Sequence, residues 1–524
     1  MHPAPKMSQI STNRIRLTVS ADDARRVSRL RWINKLRQGK TRVIRYDGTR
    51  FDTLQLRLRA EALGIDLLED HKGRVSQRSA SGSRTVSDRL ESSRPDVTQL
   101  AAIIDDRSLI ARIKRWKLIP VFHYRKFREV RMNLVAGNTE ILLVARSGTL
   151  LAKQSKVRKS LKVGEITLEL VSGDPSEMYE LGIRIADTLD ARPACHDIAE
   201  FGYRLARPAL GAGVAKAGKP VLHAGMTAGD AFTAVMLETM THLLSNQHLL
   251  IRGKPEAVHQ TRVALRRMRA ALRAFKNVLP YDKRKAFNGE LRWFQQRLGS
   301  ARDWQVFLTE SLPRIGKARS GLPTEIGRLR KVALVERRRA TQDAMEVCET
   351  RRFTRLLLHL LGWLAELHND SDKGPRGVPL VPFACRVLGK THRDLLRDRR
   401  ALSRMNPDEL HTVRKLGKKA RYATEFFAPL WADSDNRDML QRLKLLQENL
   451  GDINDAVVAR QLLVTLHPGR LSTTSHWVIQ SWARDRIGKC LATAQPHWRK
   501  LQRSRVFWEQ AEPLDHPGIY SSAA

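Results

Sequence analysis

The chain has 524 residues, of which 94 are Lys or Arg and 54 are Asp or Glu, giving a formal net charge of +40 at pH 7. Its hydrophobic content of 42% is enough to bury cores, which excludes a disordered basic tail. No apolar run approaches the roughly 20 residues that cross a bilayer, no secretory signal is visible, and the scattered cysteines argue against a disulfide framework or a zinc site. We therefore expect a cytoplasmic protein without membrane insertion, whose charge requires a polyanion or counterions.

The first part of the chain, residues 10–205, mixes short strands with helices. Alternating polar and apolar residues predict a strand at Arg14–Val19, and Glu140–Val144 and Glu165–Val171 are further strand candidates. A helix is predicted over Met178–Leu189, after a Gly-Asp-Pro turn. The Ser/Arg-rich stretch 70–97 is typical of a mobile loop. These features indicate an α+β domain.

The second part of the chain is predicted to be all-α. Residues 206–227 contain Gly, Ala, Pro and Lys without an apolar period, and we interpret them as an interdomain linker. From residue 228 to 512 helical periodicity dominates, interrupted by Pro- and Gly-containing stretches such as 372–379. The sequence therefore predicts an α+β domain at 10–205, a linker at 206–227 and a helical domain at 228–512.

The helical half contains an internal repeat with a constant offset of 152 residues, which relates segment 258–275 to segment 410–427. Equivalent pairs are His259 and His411, Arg262 and Arg414, Arg266 and Lys418, Arg269 and Arg421, Phe275 and Phe427, and Asp303 and Asp455. Chance rarely preserves register across two helices and their connection, so we interpret the repeat as a duplicated helical unit. Two such units are expected to pack around a pseudo-twofold axis.

Both copies carry a basic stripe along one side of a helix. At roughly 100° per residue, the first stripe comprises His259, Arg262, Arg266, Arg269 and Arg273, and the second comprises His411, Arg414, Lys418 and Arg421, with Lys415 and Lys419 beside it. Small or apolar residues flank the first stripe, and no acid occurs from Gln260 to Tyr281. Because aligned cations repel one another, this arrangement favours a bound polyanion over a merely solvated face. Arginine suits phosphate, since its planar fork donates two hydrogen bonds to oxygen.

The two histidines begin these stripes in the same register. Each alone is equally typical of a capping or core-edge imidazole, whereas the repetition favours donation to an anion. A metal role is disfavoured, because neither has a His, Cys or carboxylate at metal-ligand spacing on its own face.

The segments VHQTRVALRRMRAALRAF, ELRWFQQRLGSARD, LHTVRKLGKKARY and LLQENLGDINDA resemble the CHAD family, the conserved-histidine α-helical domain. The resemblance covers about 228–512 and implies two four-helix bundles around a basic pore or groove that binds inorganic polyphosphate. It implies binding residues at both basic stripes, with Arg337 and Arg386 as additions to the wall, and recruitment to polyphosphate granules in a bacterial cytoplasm. No cofactor is implied for this domain, and the oligomeric state is not predicted.

The first 205 residues resemble a degenerate CYTH domain, an antiparallel β tunnel that binds triphosphate and a divalent metal. The matching pieces are Phe51–Thr53, Pro120–Phe122, Glu165–Glu169 with Ser172–Asp174, and Phe201–Leu205. The signature first strand, Glu-x-Glu-x-Lys, is replaced by Arg14-Ile-Arg-Leu-Thr18, so both metal-side carboxylates have become arginine. Glu165 and Glu169 are the acids left on one strand face, while Arg125, Arg128 and Arg131 are candidate phosphate contacts. This resemblance predicts an inactive or very weak tunnel.

Three functions follow from these patterns. The favoured one is a polyphosphate-binding protein that is not an enzyme. The first alternative is a metal-dependent inorganic triphosphatase or polyphosphatase, which would use Mg²⁺ or Mn²⁺ held by Glu165 and Glu169. The second alternative is a nucleic-acid binder acting through bulk charge, although no helix-turn-helix, zinc or RRM signature is present.

Overall fold

The computed structural model describes residues 10–81, 84–89, 95–104, 106–154, 157–318, 321–369, 374–464 and 473–514. The chain divides into two compact units. The first, here the N-terminal unit, comprises the residues up to Ala215 together with Arg351–Glu366; the second, here the helical unit, comprises Lys216–Thr350 and the residues from Leu367 onward. No described helix is both long and apolar enough to cross a membrane.

The N-terminal unit is built on one antiparallel sheet. Among the described residues its strands are β1 Arg14–Val19, β2 Arg37–Asp52, β3 Leu63–Asp70, β4 Val75–Ser81, β5 Arg84–Arg89, β6 Ile119–Ala136, β7 Thr139–Gln154, β8 Val157–Ser172 and β9 Arg192–Pro193. Their order across the sheet is β5-β4-β3-β2-β6-β7-β8-β1-β9. The predicted strands at 14–19, 140–144 and 165–171 lie within β1, β7 and β8.

The core of this unit lies where helices cover the sheet. The helices are α1 Ala21–Arg26, α2 Arg31–Leu36, α3 Arg57–Ala60, α4 Arg107–Ile113, α5 Pro175–Leu189 and α6 Ile198–Ala206. Strand β1 buries every second side chain, as its alternation predicts. Phe122, Tyr124 and Phe127 of β6 pack with Ile198 and Tyr203 of α6 in one buried cluster. The predicted helix 178–189 lies within α5, whose first turn is capped by the side chain of Asp174.

The tunnel implied by the CYTH resemblance is not confirmed, because the sheet is open. Strands β5 and β9 occupy its two edges and do not pair with each other. The sheet nevertheless curves, since residues of β1 to β8 line one small cavity of about 100 Å³. The structure therefore supports an antiparallel α+β unit, without a closed barrel.

The predicted mobile loop at 70–97 is wrong for the part that the structure describes. Strand β4 pairs with both β3 and β5 in antiparallel register. Gln77 and Ser79 point into the interior, where the Gln77 Nε2 donates a 2.9 Å hydrogen bond to Ser79 Oγ. Small polar side chains that hydrogen-bond to one another can fill an inward strand face, so a composition typical of loops was misleading here. Residues 82–83 and 90–94 of this stretch lie outside the described residues.

The helical unit follows a stretch with little regular structure. Within 206–227 the only described regular element beyond the end of α6 is a short 3-10 turn at Pro208–Gly211. The helices are α7 Ala228–Leu250, α8 Pro255–Ala274, α9 Tyr281–Arg297, α10 Gly299–Val306, α11 Leu312–Ala318, α12 Pro323–Glu349, α13 Arg351–Asn369, α14 Leu380–Leu395, α15 Pro407–Phe427, α16 Asp433–Val464 and α17 Thr473–Gln502. Most of α13 belongs to the N-terminal unit, where Arg355 pairs with Asp187 at 2.8 Å.

The two basic segments of the repeat form α8 and α15, and both helices have clear start signals. Each begins with a proline in its first turn, where a missing N–H costs nothing. Asn406 and Glu409 form a reciprocal capping box at the start of α15. In α8 the apolar stripe containing Leu265, Met268 and Leu272 is buried, which fixes the direction of the basic stripe beside it.

Candidate functional site

The two basic helices meet at equivalent positions of the repeat. The rings of Phe275 and Phe427, at the C-terminal ends of α8 and α15, have centroids 5.4 Å apart. Arg266 Nε donates a 2.5 Å hydrogen bond to the Tyr422 hydroxyl, and its guanidinium lies 5.7 Å from the centre of that ring. These contacts bring the facing sides of α8 and α15 together.

A cavity of about 1020 Å³, here called the cationic cavity, lies beside this contact. Its basic lining residues are Arg266, Arg269, Arg273 and Lys276 from α8 and its end, Arg386, Lys390 and Arg393 from α14, and Lys415, Lys418 and Lys419 from α15. No Asp or Glu occurs among the described residues that line it. Ala270, Ala274 and Val387 supply small apolar parts of the wall. Lys419 Nζ pairs with Asp394 at 3.0 Å, behind the lining. The other nine cations around this concave space repel one another until an anion occupies it.

The cationic cavity brings together half of the site residues predicted from the sequence. Of those twelve, Arg266, Arg269, Arg273, Arg386, Lys415 and Lys418 line it. Arg269 is held by two side chains of α9, donating from Nε to Asn288 at 3.1 Å and from Nη1 to Gln295 at 2.9 Å. Both acceptors are neutral amides, so the charge of Arg269 remains available to a ligand.

Sequence reasoning missed most of the contribution of α14. Arg386, Lys390 and Arg393 are spaced i, i+4 and i+7, which places them on one helix face, and all three are exposed. This third basic stripe was visible in the sequence but lies outside the repeated segments. A search for stripes without acids, independent of repetition, would have found it.

A second cluster contains His259, Arg262 and Arg414 with the equivalent aspartates of the repeat. Arg262 and Arg414 both act on Asp303, whose pKa is nevertheless raised by burial. Burial likewise raises the pKa of Asp455, which faces Arg414. These arginines are thus partly compensated by carboxylates, unlike those that line the cationic cavity.

His259 belongs to this compensated cluster. Burial, followed by the neighbouring Arg302, lowers the pKa of His259 to about 4. The imidazole is therefore neutral at pH 7, and it can offer an anion one N–H but no charge.

Three further predicted residues belong neither to the cationic cavity nor to the compensated cluster. His411 is exposed at the start of α15. Arg421 Nε pairs with Glu425 at 3.2 Å. Arg337 Nη1 donates to Gln305 at 3.4 Å. The structure does not bring these three side chains to the cavity wall.

The two copies of the repeat are not equivalent around the cavity. Ala270 and Ala274, which leave room in the first copy, correspond to Tyr422 and Phe426 in the second. Arg273 corresponds to Glu425, whose carboxylate accepts from Arg267 at 3.1 Å. The first copy therefore opens a basic space where the second copy is filled by aromatic rings and an ion pair.

The small cavity of the N-terminal unit has a different electrostatic character. Its arginines pair with carboxylates: Arg50 with Asp66 at 2.5 Å, Arg14 with Glu169 at 2.6 Å, Arg146 with Glu129 at 2.9 Å and with Glu165 at 3.3 Å, and Arg16 with Glu165 at 3.4 Å. Two of the candidate phosphate contacts are also paired, Arg125 with Asp47 and Arg131 with Glu129, each at 2.7 Å. This cavity is neutralised by its own side chains.

The same pairs decide whether a divalent metal fits here. Glu165 lies between Arg16 and Arg146 and also accepts from the Ile198 backbone N–H at 3.1 Å, while Glu169 is held by Arg14. Within the described part of the chain, no three His, Cys, Asp or Glu side chains are grouped to hold a metal. A Mg²⁺ or Mn²⁺ ion requires several free oxygen ligands, so these residues do not fit one.

Comparison with known proteins finds a family match for part of the helical unit. The family model of the CHAD domain matches residues 234–464. An uncharacterised protein of Mycobacterium tuberculosis strain H37Rv and its counterpart in strain CDC 1551 are each 26% identical over 363 residues, which cover 65% of this chain and 65% of the relative. The chain therefore spans just under two thirds of the length of these curated relatives.

Two solved structures are also similar. One is the crystal structure of the CHAD domain from the plant Ricinus communis, at 28% identity and a TM-score of 0.46, covering 58% of this chain and 99% of that one. The other is PptA from Streptomyces chartreusis, at 19% identity and a TM-score of 0.41, covering 52% of this chain and all of that one. The family match, on the segment that carries both basic helices, identifies residues 234–464 of this chain as a CHAD domain.

Proposed function

We propose that the helical unit binds inorganic polyphosphate in the cationic cavity. The observation that carries this proposal is a concave wall with ten Lys or Arg side chains and no carboxylate among its described lining residues. A polyphosphate chain carries about one negative charge per phosphate, at short regular intervals, so it offers a counter-charge to each cation in turn. The CHAD resemblance implies the same ligand.

The geometry favours a flexible chain of phosphates over duplex nucleic acid. The basic residues surround a concave space of about 1020 Å³, whereas a duplex is bound by an extended basic surface. The described aromatic residues that line the cavity, Tyr422 and Phe383, offer no free platform for base stacking. Tyr422 accepts a hydrogen bond from Arg266 at its hydroxyl and lies beside Arg421, and Phe383 is buried and stacks on Phe275. Nucleic acid remains the competitor against which selectivity is measured.

The most direct test removes the exposed stripe of α14. The variant Arg386→Gln/Lys390→Gln/Arg393→Gln is expected to weaken binding of long-chain polyphosphate roughly tenfold to hundredfold, at about 0.5–1 kcal/mol for each exposed charge pair. The slope of log affinity against log salt is expected to become shallower by about 2, at roughly 0.7 per phosphate contact. Filter binding at several salt concentrations measures both quantities.

A matched control carries the same charge change elsewhere. Arg330, Lys331 and Arg339 of α12 are exposed, lie outside the cavity lining and have the same composition as the α14 stripe. The variant Arg330→Gln/Lys331→Gln/Arg339→Gln is expected to bind within about threefold of the unmodified protein. Equal losses in both variants would assign binding to bulk charge, and unchanged binding in the α14 variant would remove the cavity from the proposal.

Competition distinguishes the two polyanions. Polyphosphate is expected to displace DNA readily, whereas DNA displaces polyphosphate poorly. Easy displacement in both directions would favour the nucleic-acid alternative.

Association with polyphosphate granules in the cytoplasm is the cellular form of the same proposal. A fluorescent fusion is expected to form foci in cells that contain polyphosphate and to lose them in cells that lack it. An identical diffuse signal in both would contradict granule association without affecting the binding test.

A further inference from the structure

Lys418 occupies a special position in the cationic cavity. It is the counterpart of Arg266 in the repeat, so one copy supplies a permanent charge and the other a side chain that can titrate. Lys418 is half-buried in the wall, and no described carboxylate forms an ion pair with it. A lysine ammonium that is half-buried among cations is the charge of the cavity that is most easily lost.

The charged groups around Lys418 come from four helices and are mostly positive. Arg414 and Arg421 lie on its own helix and Arg266 on α8, while Asp455 of α16 is the acid that acts on it most strongly. From α14, Lys390 faces the same cavity. The positive field at Lys418 therefore exceeds the negative one before any ligand binds.

We propose that Lys418 takes up a proton when polyphosphate enters the cavity, so that binding tightens as the pH falls through the neutral to mildly alkaline range. This inference rests on the proposed function, because it concerns the same cavity and the same ligand. The ligand reverses the local field: phosphate oxygens replace a shell of cations as the nearest charges. Protonation of Lys418 and binding of the anion then support each other by linkage.

The electrostatics give the window and the sign. Burial, followed by Arg414, Arg266 and Arg421, lowers the pKa of Lys418 to about 7. A bound polyanion raises this pKa. Below pH 7 the ammonium is already present and binding needs no proton; above it, binding takes up a fraction of a proton that increases with pH. Affinity is then expected to fall with rising pH, by at most tenfold per pH unit, until the pKa of the complex is passed.

The experiment compares Lys418 with an arginine that stays charged. Binding of long-chain polyphosphate, which has few titrating end groups, is measured from pH 6.5 to 9 at constant ionic strength for the unmodified protein and for Lys418→Arg. Calorimetry at pH 8 in two buffers of different ionisation enthalpy counts the protons taken up. For the unmodified protein we expect an uptake of more than half a proton and an affinity at least fivefold lower at pH 9 than at pH 6.5. For Lys418→Arg we expect that extra uptake to vanish and the profile to flatten.

Several outcomes separate this inference from the function on which it rests. Absence of binding at pH 6.5 would contradict the proposed function. Binding by the unmodified protein without proton uptake at pH 8 would overturn only the role of Lys418, regardless of how the variants behave. The same uptake in Lys418→Arg would assign the proton to another group. If arginine fits poorly at this position, Lys418→Gln is the second variant. It is expected to bind polyphosphate weakly and without the extra proton uptake. Lys331→Arg, at an exposed lysine of α12 that does not line the cavity, is the control that keeps the original profile.

Discussion

The N-terminal cavity and the cationic cavity are both rich in arginine, yet they differ in what surrounds each guanidinium. In the first, Arg50, Arg146 and Arg14 each contact a carboxylate within 3.0 Å. In the second, no Asp or Glu appears among the described lining residues. An arginine that is already paired contributes to the fold, whereas an uncompensated one is available to a ligand. The position of the carboxylates, more than the number of cations, therefore distinguishes a structural cluster from a binding site.

The contrast between the two cavities is tested most strongly at Glu129, where the largest effect is expected. This carboxylate is fully buried and contacts Arg78, Arg131 and Arg146. Replacing it by Gln leaves these arginines without their counter-charge, so we expect the free energy of unfolding of the N-terminal unit to fall by about 3–5 kcal/mol. Hydrogen exchange of the β6 and β7 amides across a denaturant series measures this loss locally.

The control for Glu129→Gln is Glu140→Gln, on an exposed position of β7, where the expected change is within about 0.5 kcal/mol. Burial raises the pKa of Glu129, but its arginine partners outweigh burial and bring it to about 2, below the roughly 4.3 of an unfolded chain. The stabilisation is therefore complete above pH ~4.3 and is lost as the pH falls through about 2. A loss below 1 kcal/mol for Glu129→Gln would mean that solvent already screens this cluster.

The cationic cavity can be filled by replacing a small residue in the first copy of the repeat with the larger residue found at the equivalent position of the second copy. Ala270 is half-buried in the cavity wall, and its equivalent in the repeat is Tyr422. We expect Ala270→Tyr to place its ring in the cavity and to weaken polyphosphate binding at least tenfold, while the thermal unfolding midpoint changes little. Filter binding, together with circular dichroism as a check of folding, measures both effects.

Ala492→Tyr is the matched control for Ala270→Tyr, because Ala492 is exposed on α17 and does not line the cavity. Its binding is expected to equal that of the unmodified protein. Full binding by Ala270→Tyr would instead indicate that the ligand lies on the compensated cluster of Arg262 and Arg414, outside the cationic cavity.

Much of the helical site was predictable because it depends on periodicity. The constant offset of 152 residues predicted a duplicated helical unit packed around a pseudo-twofold axis, and the equivalent residues Phe275 and Phe427 are in ring contact. Local spacing placed Arg266, Arg269 and Lys418 on facing helix sides. Local sequence spacing carries no information on which side chains meet in the folded protein. It therefore could not predict that Arg262 and Arg414 share Asp303 or that Arg421 pairs with Glu425.

The N-terminal unit was less predictable because its pattern is set by long-range pairing. Strand β1 was predicted from alternation, and parts of β7 and β8 were strand candidates. Strands β4 and β5 have a polar composition, and their strand character comes from partners such as β3. The resemblance to a tunnel also gave no information on closure, since closure depends on hydrogen bonds between the first and last strands of the sheet, and β5 and β9 do not form them.

The smallest expected effect is the response of the N-terminal unit to an added divalent metal. Because Glu165 and Glu169 are occupied by Arg16, Arg146 and Arg14, we expect Mg²⁺ or Mn²⁺ at millimolar concentration, or its removal by a chelator, to leave the unfolding midpoint of the N-terminal unit within about 1 °C. Phosphate release from inorganic triphosphate is expected to stay at the level of the protein-free blank. The variant Glu169→Ala serves as the control: metal-dependent turnover that this substitution abolishes would show that the carboxylates can leave their arginines, and would restore the triphosphatase alternative.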